Sequence, residues 1–148
     1  MDVLNGSVYF TTLDLLNAFY QVELNEQSKK KTAFSTTNEQ YCFNRMPIGI
    51  ATAPATFQKL INKVLGPLNW KEAIVYLDDI LIFSSKIKEH IKRVRNILER
   101  IKEASLKLNR DKCHFLKTET KFLGHIINKQ GIRTDEIGRA SCRERVST

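Results

Sequence analysis

Ala73-Ile74-Val75-Tyr76-Leu77-Asp78-Asp79-Ile80-Leu81-Ile82-Phe83 is the most apolar part of the chain and carries two adjacent aspartates at its middle. Two apolar runs flank a pair of acids, which predicts a β-hairpin with the acids at its tip. Aspartate is a common turn residue, so an isolated pair at a tip needs no function to explain it. Here the flanks are so apolar that the pair sits at the edge of a buried sheet. Two like charges held there repel unless a cation neutralises them, and oxygen-rich clusters select hard cations such as magnesium.

Toward the N-terminus, Val8-Tyr9-Phe10-Thr11-Thr12-Leu13-Asp14-Leu15 is rich in β-branched and aromatic residues and predicts a strand ending near Asp14. If that strand lies beside the hairpin, three acids meet at one spot. Such a set can hold two divalent ions for phosphoryl transfer, one activating a hydroxyl and one stabilising the leaving oxygen. Spacing alone does not make the strands neighbours.

The remaining pattern is that of alternating short elements. Leu16 to Tyr20 predicts a helical turn, and Thr32–Phe34 with Gln40–Asn44 a hairpin around the polar stretch Ser35–Glu39. Met46-Pro47-Ile48-Gly49 reads as a loop. A helix follows from about Thr52, with Pro54 in its first turn, Phe57, Leu60, Ile61, Val64 and Leu65 at helical spacing, and Gly66-Pro67 as its stop. After the acidic hairpin, Ser85 is positioned to cap a long helix whose Ile87, Ile91, Val94, Leu98 and Ile101 form an apolar stripe, with a solvated charged face opposite. Cys113–Leu116 and Lys121–Ile127 read as two short strands, the second ending before a turn at Gly131. This order predicts an α+β fold, an antiparallel sheet with helices packed on one face.

Composition narrows the function classes. With 148 residues, 42% of them hydrophobic, the chain is long enough for one domain, or part of a larger one, without disulfide or metal staples. No run approaches the roughly 20 apolar residues that cross a bilayer, which argues against a membrane protein. Met1 to Ser7 has no signal-peptide pattern, and Cys42, Cys113 and Cys142 have no CxxC partner, so they read as reduced thiols of an intracellular protein. A formal charge of +8 favours polyanionic partners such as nucleic acid, although many basic domains are merely soluble.

Four segments stand in the order seen in reverse transcriptases. They are Phe10-Thr11-Thr12-Leu13-Asp14-Leu15, then Met46-Pro47-Ile48-Gly49 with Ala53-Pro54-Ala55-Thr56-Phe57-Gln58, then Tyr76-Leu77-Asp78-Asp79, and last Phe122-Leu123-Gly124-His125. The chain resembles that family, and within it the gypsy-type LTR retrotransposons, over about Val3 to Asp135. The resemblance implies a polymerase palm with part of the fingers over residues 1–135. It also implies RNA-directed DNA polymerase chemistry, in which deoxynucleotides are added to a primer 3′ hydroxyl with two Mg2+ ions, Mn2+ being a possible substitute.

The same resemblance assigns residues. Asp14, Asp78 and Asp79 become the catalytic, metal-binding acids, with the Leu15 carbonyl as a further metal ligand. Phe19 matches the bulky residue that crowds the sugar 2′ position, although a lone Phe there also reads as core. Ile48, Gly49 and Lys112 fall on the nucleotide side, Lys112 near the leaving pyrophosphate, and Gly49 lets backbone approach a ligand closely. Ile48 departs from the aromatic or polar residue usual in relatives. Arg45, Gln58, Leu123, Gly124 and His125 fall on template-primer contacts, and Lys59 could meet a phosphate. An exposed helical Gln or a loop Lys is as readily explained by solvation.

The implied partners are a primed RNA or DNA template, deoxynucleoside triphosphates, and the thumb, connection and RNase H regions that relatives carry in a polyprotein. The implied location is an intracellular retrotransposon particle. Glu136 to Thr148 loses all apolar period and is expected to be a non-native tail. The alternative function is a palm that binds nucleic acid without catalysing. An interaction module built on the Ile87–Ile101 stripe gives no reason for the three acids.

Overall fold

A computed structural model describes residues 2–135 of the chain. The expected tail at 136–148 lies outside the described residues. In chain order the elements are β1 (Tyr9–Asp14), α1 (Glu26–Lys31), β2 (Phe34–Ser35), β3 (Gln40–Tyr41), α2 (Ala53–Leu65), β4 (Ala73–Tyr76), β5 (Asp79–Ser84), α3 (Ile87–Glu103), β6 (His114–Lys117), β7 (Glu119–Phe122), β8 (His125–Asn128) and β9 (Gly131–Thr134).

The central sheet has the order β4-β5-β1-β6, with β5 antiparallel to both β4 and β1. Because strand side chains alternate, β1 and β5 bury both faces. Leu13, Ile80 and Ile82 join Phe57, Ile61 and Leu65 of α2 and Ile97 and Ile101 of α3 in the larger core. Phe10, Leu81 and Phe83 point the other way and meet Phe122 and Ile127 of the β7-β8-β9 sheet. Helices therefore cover one face, as expected, and a second small sheet covers part of the other.

Local chemistry explains the elements. Helix α2 starts with Pro near its N-terminus, buries Ala53, Phe57, Ile61 and Leu65 along one face, and stops at Gly66, whose φ of 52° suits glycine. Helix α1 is polar throughout and was not legible as an apolar stripe. It is held by Asn25 Oδ1, which accepts from the Ser28 N–H at 2.8 Å, and by a Lys29–Glu26 ion pair at 2.7 Å.

Several expectations shift. Tyr76 pairs with Asp79, so the hairpin tip is Leu77-Asp78 and Asp79 opens β5, drawn into the ladder opposite Asp14. Lys86, not Ser85, precedes α3, and the hydroxyl serving that end is Ser84 Oγ, which donates to the Lys86 carbonyl at 3.1 Å. The buried face of α3 is His90, Ile97 and Ile101, while Ile87 and Ile91 are 45% and 52% exposed. Lys121–Ile127 is two strands rather than one, because Leu123 (φ 51°) and Gly124 (φ 74°) both take the left-handed backbone of a two-residue hairpin turn. Gly131 opens β9 instead of forming the turn.

His90 could rotate inward only because its ring is fully satisfied. It is 1% exposed, with Nε2 2.7 Å from Thr11 Oγ1 and Nδ1 2.9 Å from Ser84 Oγ. Thr11 Oγ1 accepts the Leu116 N–H at 3.1 Å, which leaves its own hydrogen to donate to Nε2. Ser84 donates to the Lys86 carbonyl, so it accepts from Nδ1–H. Both ring positions are thereby matched by a neutral imidazole protonated at Nδ1.

Candidate active site

Asp14 ends β1 and is the antiparallel partner of Asp79, the first residue of β5. The turn residue Asp78 is tied to the same spot, since its carbonyl accepts the Leu15 N–H at 2.9 Å. The Asp14 carbonyl accepts the Asn109 N–H at 2.8 Å, which brings in the short turn carrying Lys112. An acid distant in sequence, Asp14, thus joins the adjacent pair Asp78-Asp79 at one end of the two central strands, beside one lysine.

The turn is braced from α2. Leu77 stands at φ 53°, and its N–H donates to Gln58 Oε1 at 2.7 Å. The Gln58 amide nitrogen donates to the Val75 carbonyl at 3.3 Å and to Asn62 Oδ1 at 2.9 Å. Gln58 therefore holds the strained turn that presents Asp78. A glutamine on an amphipathic helix gives no sign of this in sequence, because its partner lies in a turn 19 residues away.

Two cavities open on either side of Asp14 and Lys112, which line both. The larger, about 610 Å3, includes Asp79, Thr12, His114, Lys117 and Leu123. The smaller, about 220 Å3, includes Leu15, Phe19, Ile48 and Asp78. Burial pushes the Asp14 carboxyl above the usual aspartate value; Lys112 pulls it back and Asp78 pushes it further up. Burial does the same to Asp79, helped by Asp78 and Asp14 and opposed by Lys112.

This donor set suits a hard divalent cation. The three carboxylates make no ion pair or side-chain hydrogen bond among the described residues, and burial against like charge is the penalty that a cation would relieve. Among the described residues no three acid, His or Cys side chains close around one point. The acids form a neighbourhood rather than a closed set of ligands.

The other sequence-derived site residues divide. Phe19 packs edge-on against Phe57, with centroids 5.8 Å apart, and walls the smaller cavity with Ile48, which is 71% exposed. Gly49 stands at a φ of 101°, a conformation that favours glycine, and a Cβ there would meet no protein atom within 4 Å. Leu123 lines the larger cavity from the β7–β8 turn, next to Gly124. His125 lies outside both cavities, in an apolar groove with Trp70 and Tyr76. Arg45 also lies apart from the acids, bonded to the Gln21 carbonyl and Glu23 Oε1, each at 3.1 Å.

A stability effect follows from the uncompensated charge. Asp14 and Asp79 hold a proton more readily in the folded chain than in the unfolded one, so their ionisation weighs against the fold at neutral pH. Asp79→Asn should raise the metal-free melting temperature, on the order of 2 °C because the group keeps part of its hydration. The gap to wild type should narrow as pH falls toward 3.8. Calorimetry at several pH values with a chelator checks both; an earlier melt for the variant contradicts the charge argument.

The family model described as "Reverse transcriptase (RNA-dependent DNA polymerase)" matches residues 1–127. The retrovirus-related Pol polyprotein from transposon 297 of Drosophila melanogaster is 49% identical over 87% of this chain, which covers 12% of that protein. The corresponding polyprotein from transposon opus of the same species is 43% identical over 89% of the chain and 13% of its own length. Among solved structures, a foamy viral protease-reverse transcriptase in complex with double-stranded DNA superposes with a TM-score of 0.84 at 26% identity, covering 96% of this chain and 25% of that one. The same viral enzyme in complex with an RNA/DNA hybrid gives 0.81 at 26% identity over 92% and 18%. The chain thus spans only about an eighth of these two curated relatives.

Proposed function

Because the chain belongs to the reverse transcriptase family, we propose that residues 1–135 are the palm, with part of the fingers, of a retrotransposon RNA-directed DNA polymerase, and that their acids carry its nucleotidyl transfer. The observation that supports this most is the pairing of Asp14 with Asp79, with Asp78 on the adjoining turn, at the boundary between two cavities.

The reaction joins the primer 3′ oxygen to the α-phosphorus of a deoxynucleoside triphosphate; the α–β phosphoanhydride bond breaks and pyrophosphate leaves. Asp14, Asp78 and Asp79 would hold the divalent ions, with the Leu15 carbonyl as a further ligand. When bound, such ions lower the pKa of the attacking hydroxyl and stabilise the leaving oxygen. Asp14 serves both sides, Asp79 faces the larger cavity where the primer end would lie beside Leu123, and Asp78 faces the smaller one. Lys112 puts a positive charge where pyrophosphate would depart.

Phe19 and Ile48 wall the smaller cavity as the nucleotide's sugar site. Phe19→Ala should reduce the preference for deoxy- over ribonucleotides by roughly 10–100-fold, because a steric wall against one hydroxyl is removed. The test is primer extension on an RNA template with Mg2+, comparing the two sugars. Deoxynucleotide-selective extension that relaxes in Phe19→Ala supports the reading. Unchanged selectivity removes Phe19 from the site, and salt-sensitive binding without any extension favours a palm that binds nucleic acid but does not catalyse.

A further inference from the structure

One wall of the larger cavity is built by an irregularity in β6, the strand next to β1. Phe10 pairs with Lys117 and Thr12 with His114, so two steps along β1 match three along β6. The extra residue is a β-bulge, with Leu116 at φ 49°. In a regular strand, residues three apart face opposite ways; the bulge returns Lys117 to the face that His114 already occupies. Both line the larger cavity with Thr12, Asp14 and Asp79. The bulge is anchored rather than loose, since the Leu116 N–H donates to Thr11 Oγ1 in the buried His90 network.

Charge then distinguishes the residues on this wall. Lys121 is paired with Asp135 at 2.9 Å. Lys117 has no carboxylate partner among the described residues, and Lys112 is shared with the smaller cavity. An unpaired ammonium beside an imidazole, facing a cavity of about 610 Å3, suits a phosphate oxygen.

We propose that the β6 bulge presents Lys117 and His114 as a clamp on the primer-strand phosphodiester just behind the 3′ end. This rests on the polymerase reading for the direction of the primer. Lys117 supplies charge and His114 a ring N–H, and the two position the strand without touching the reacting atoms. The nucleotide's phosphates are assigned to the smaller cavity, which neither residue lines.

The experiment is fluorescence anisotropy of a labelled DNA primer annealed to an RNA template, with a chelator, over a range of salt. Lys117→Gln should weaken binding several-fold and lower the slope of log affinity against log salt by about one. His114→Phe should weaken binding with little change in slope, and Lys117→Arg should restore the slope. Lys88→Gln, on the exposed start of α3, serves as the control and should change neither. Deoxynucleoside triphosphate affinity should be the same in wild type and Lys117→Gln. A slope unchanged in Lys117→Gln, an equal loss in Lys88→Gln, a selective loss of triphosphate binding, or no duplex binding at all would overturn the clamp. No metal or turnover enters the assay, so failure of the catalytic reading is detected separately by primer extension.

Discussion

Asp78→Asn is expected to lower Mg2+-dependent primer extension by on the order of 1000-fold, about 4 kcal/mol of lost transition-state stabilisation. The substitution keeps the size of the side chain and removes its charge. Leu77, held at its left-handed backbone by Gln58, and the Asp78 carbonyl bonded to Leu15 should keep the turn in place. The loss is therefore chemical rather than structural. Asp14→Asn and Asp79→Asn should fall comparably, and Asp79→Asn should do so while melting slightly later than wild type. Asp111→Asn, on the exposed side of the turn bearing Lys112, should retain activity. Extension surviving in Asp78→Asn would remove this carboxylate from the mechanism.

His90→Ala should cost roughly 3–5 kcal/mol, because it opens a cavity and takes from the buried Thr11 and Ser84 hydroxyls one of the two partners each has. For a domain stable by about 5–15 kcal/mol, that is a melting temperature lowered by roughly 10 °C or more. Burial, with Arg93 as a second cause, depresses the proton affinity of this ring below the usual value of 6.5. Its contribution is complete above that value and is lost as pH falls through it, when the unfolded chain takes the proton first. Wild type should accordingly lose stability as pH falls below 6.5, and His90→Gln should lose less. Thermal denaturation followed by circular dichroism measures both; a pH dependence identical in the two chains would contradict the neutral-ring assignment.

Much of the site was legible because a short run carries its chemistry. Acids between apolar runs, and a second acid ending another strand, are local signals, and the resemblance to reverse transcriptases supplied the partners. Boundaries were less legible. Strands buried on both faces read as continuous apolar runs, so nothing in Tyr76 to Ile80 marks that Asp79 enters the ladder and Leu77 makes the turn. His90 interrupted the expected stripe because hydrogen bonds to residues 79 and 6 positions away made a polar side chain suitable for the core. The bulge at Leu116 and the brace from Gln58 depend on long-range pairing that no local period encodes.

The proposed chemistry requires Asp14, Asp78 and Asp79 to bind divalent cations together. Titrating the chain with Mn2+ and following paramagnetic broadening of backbone amide resonances tests it without requiring turnover. Saturable broadening is expected, centred on Asp14, Leu15, Asp78 and Asp79 and reaching Lys112, with the outer face of α3 from Lys88 to Arg95 left sharp. Broadening centred elsewhere, or its persistence in Asp14→Asn, Asp78→Asn and Asp79→Asn alike, would contradict it.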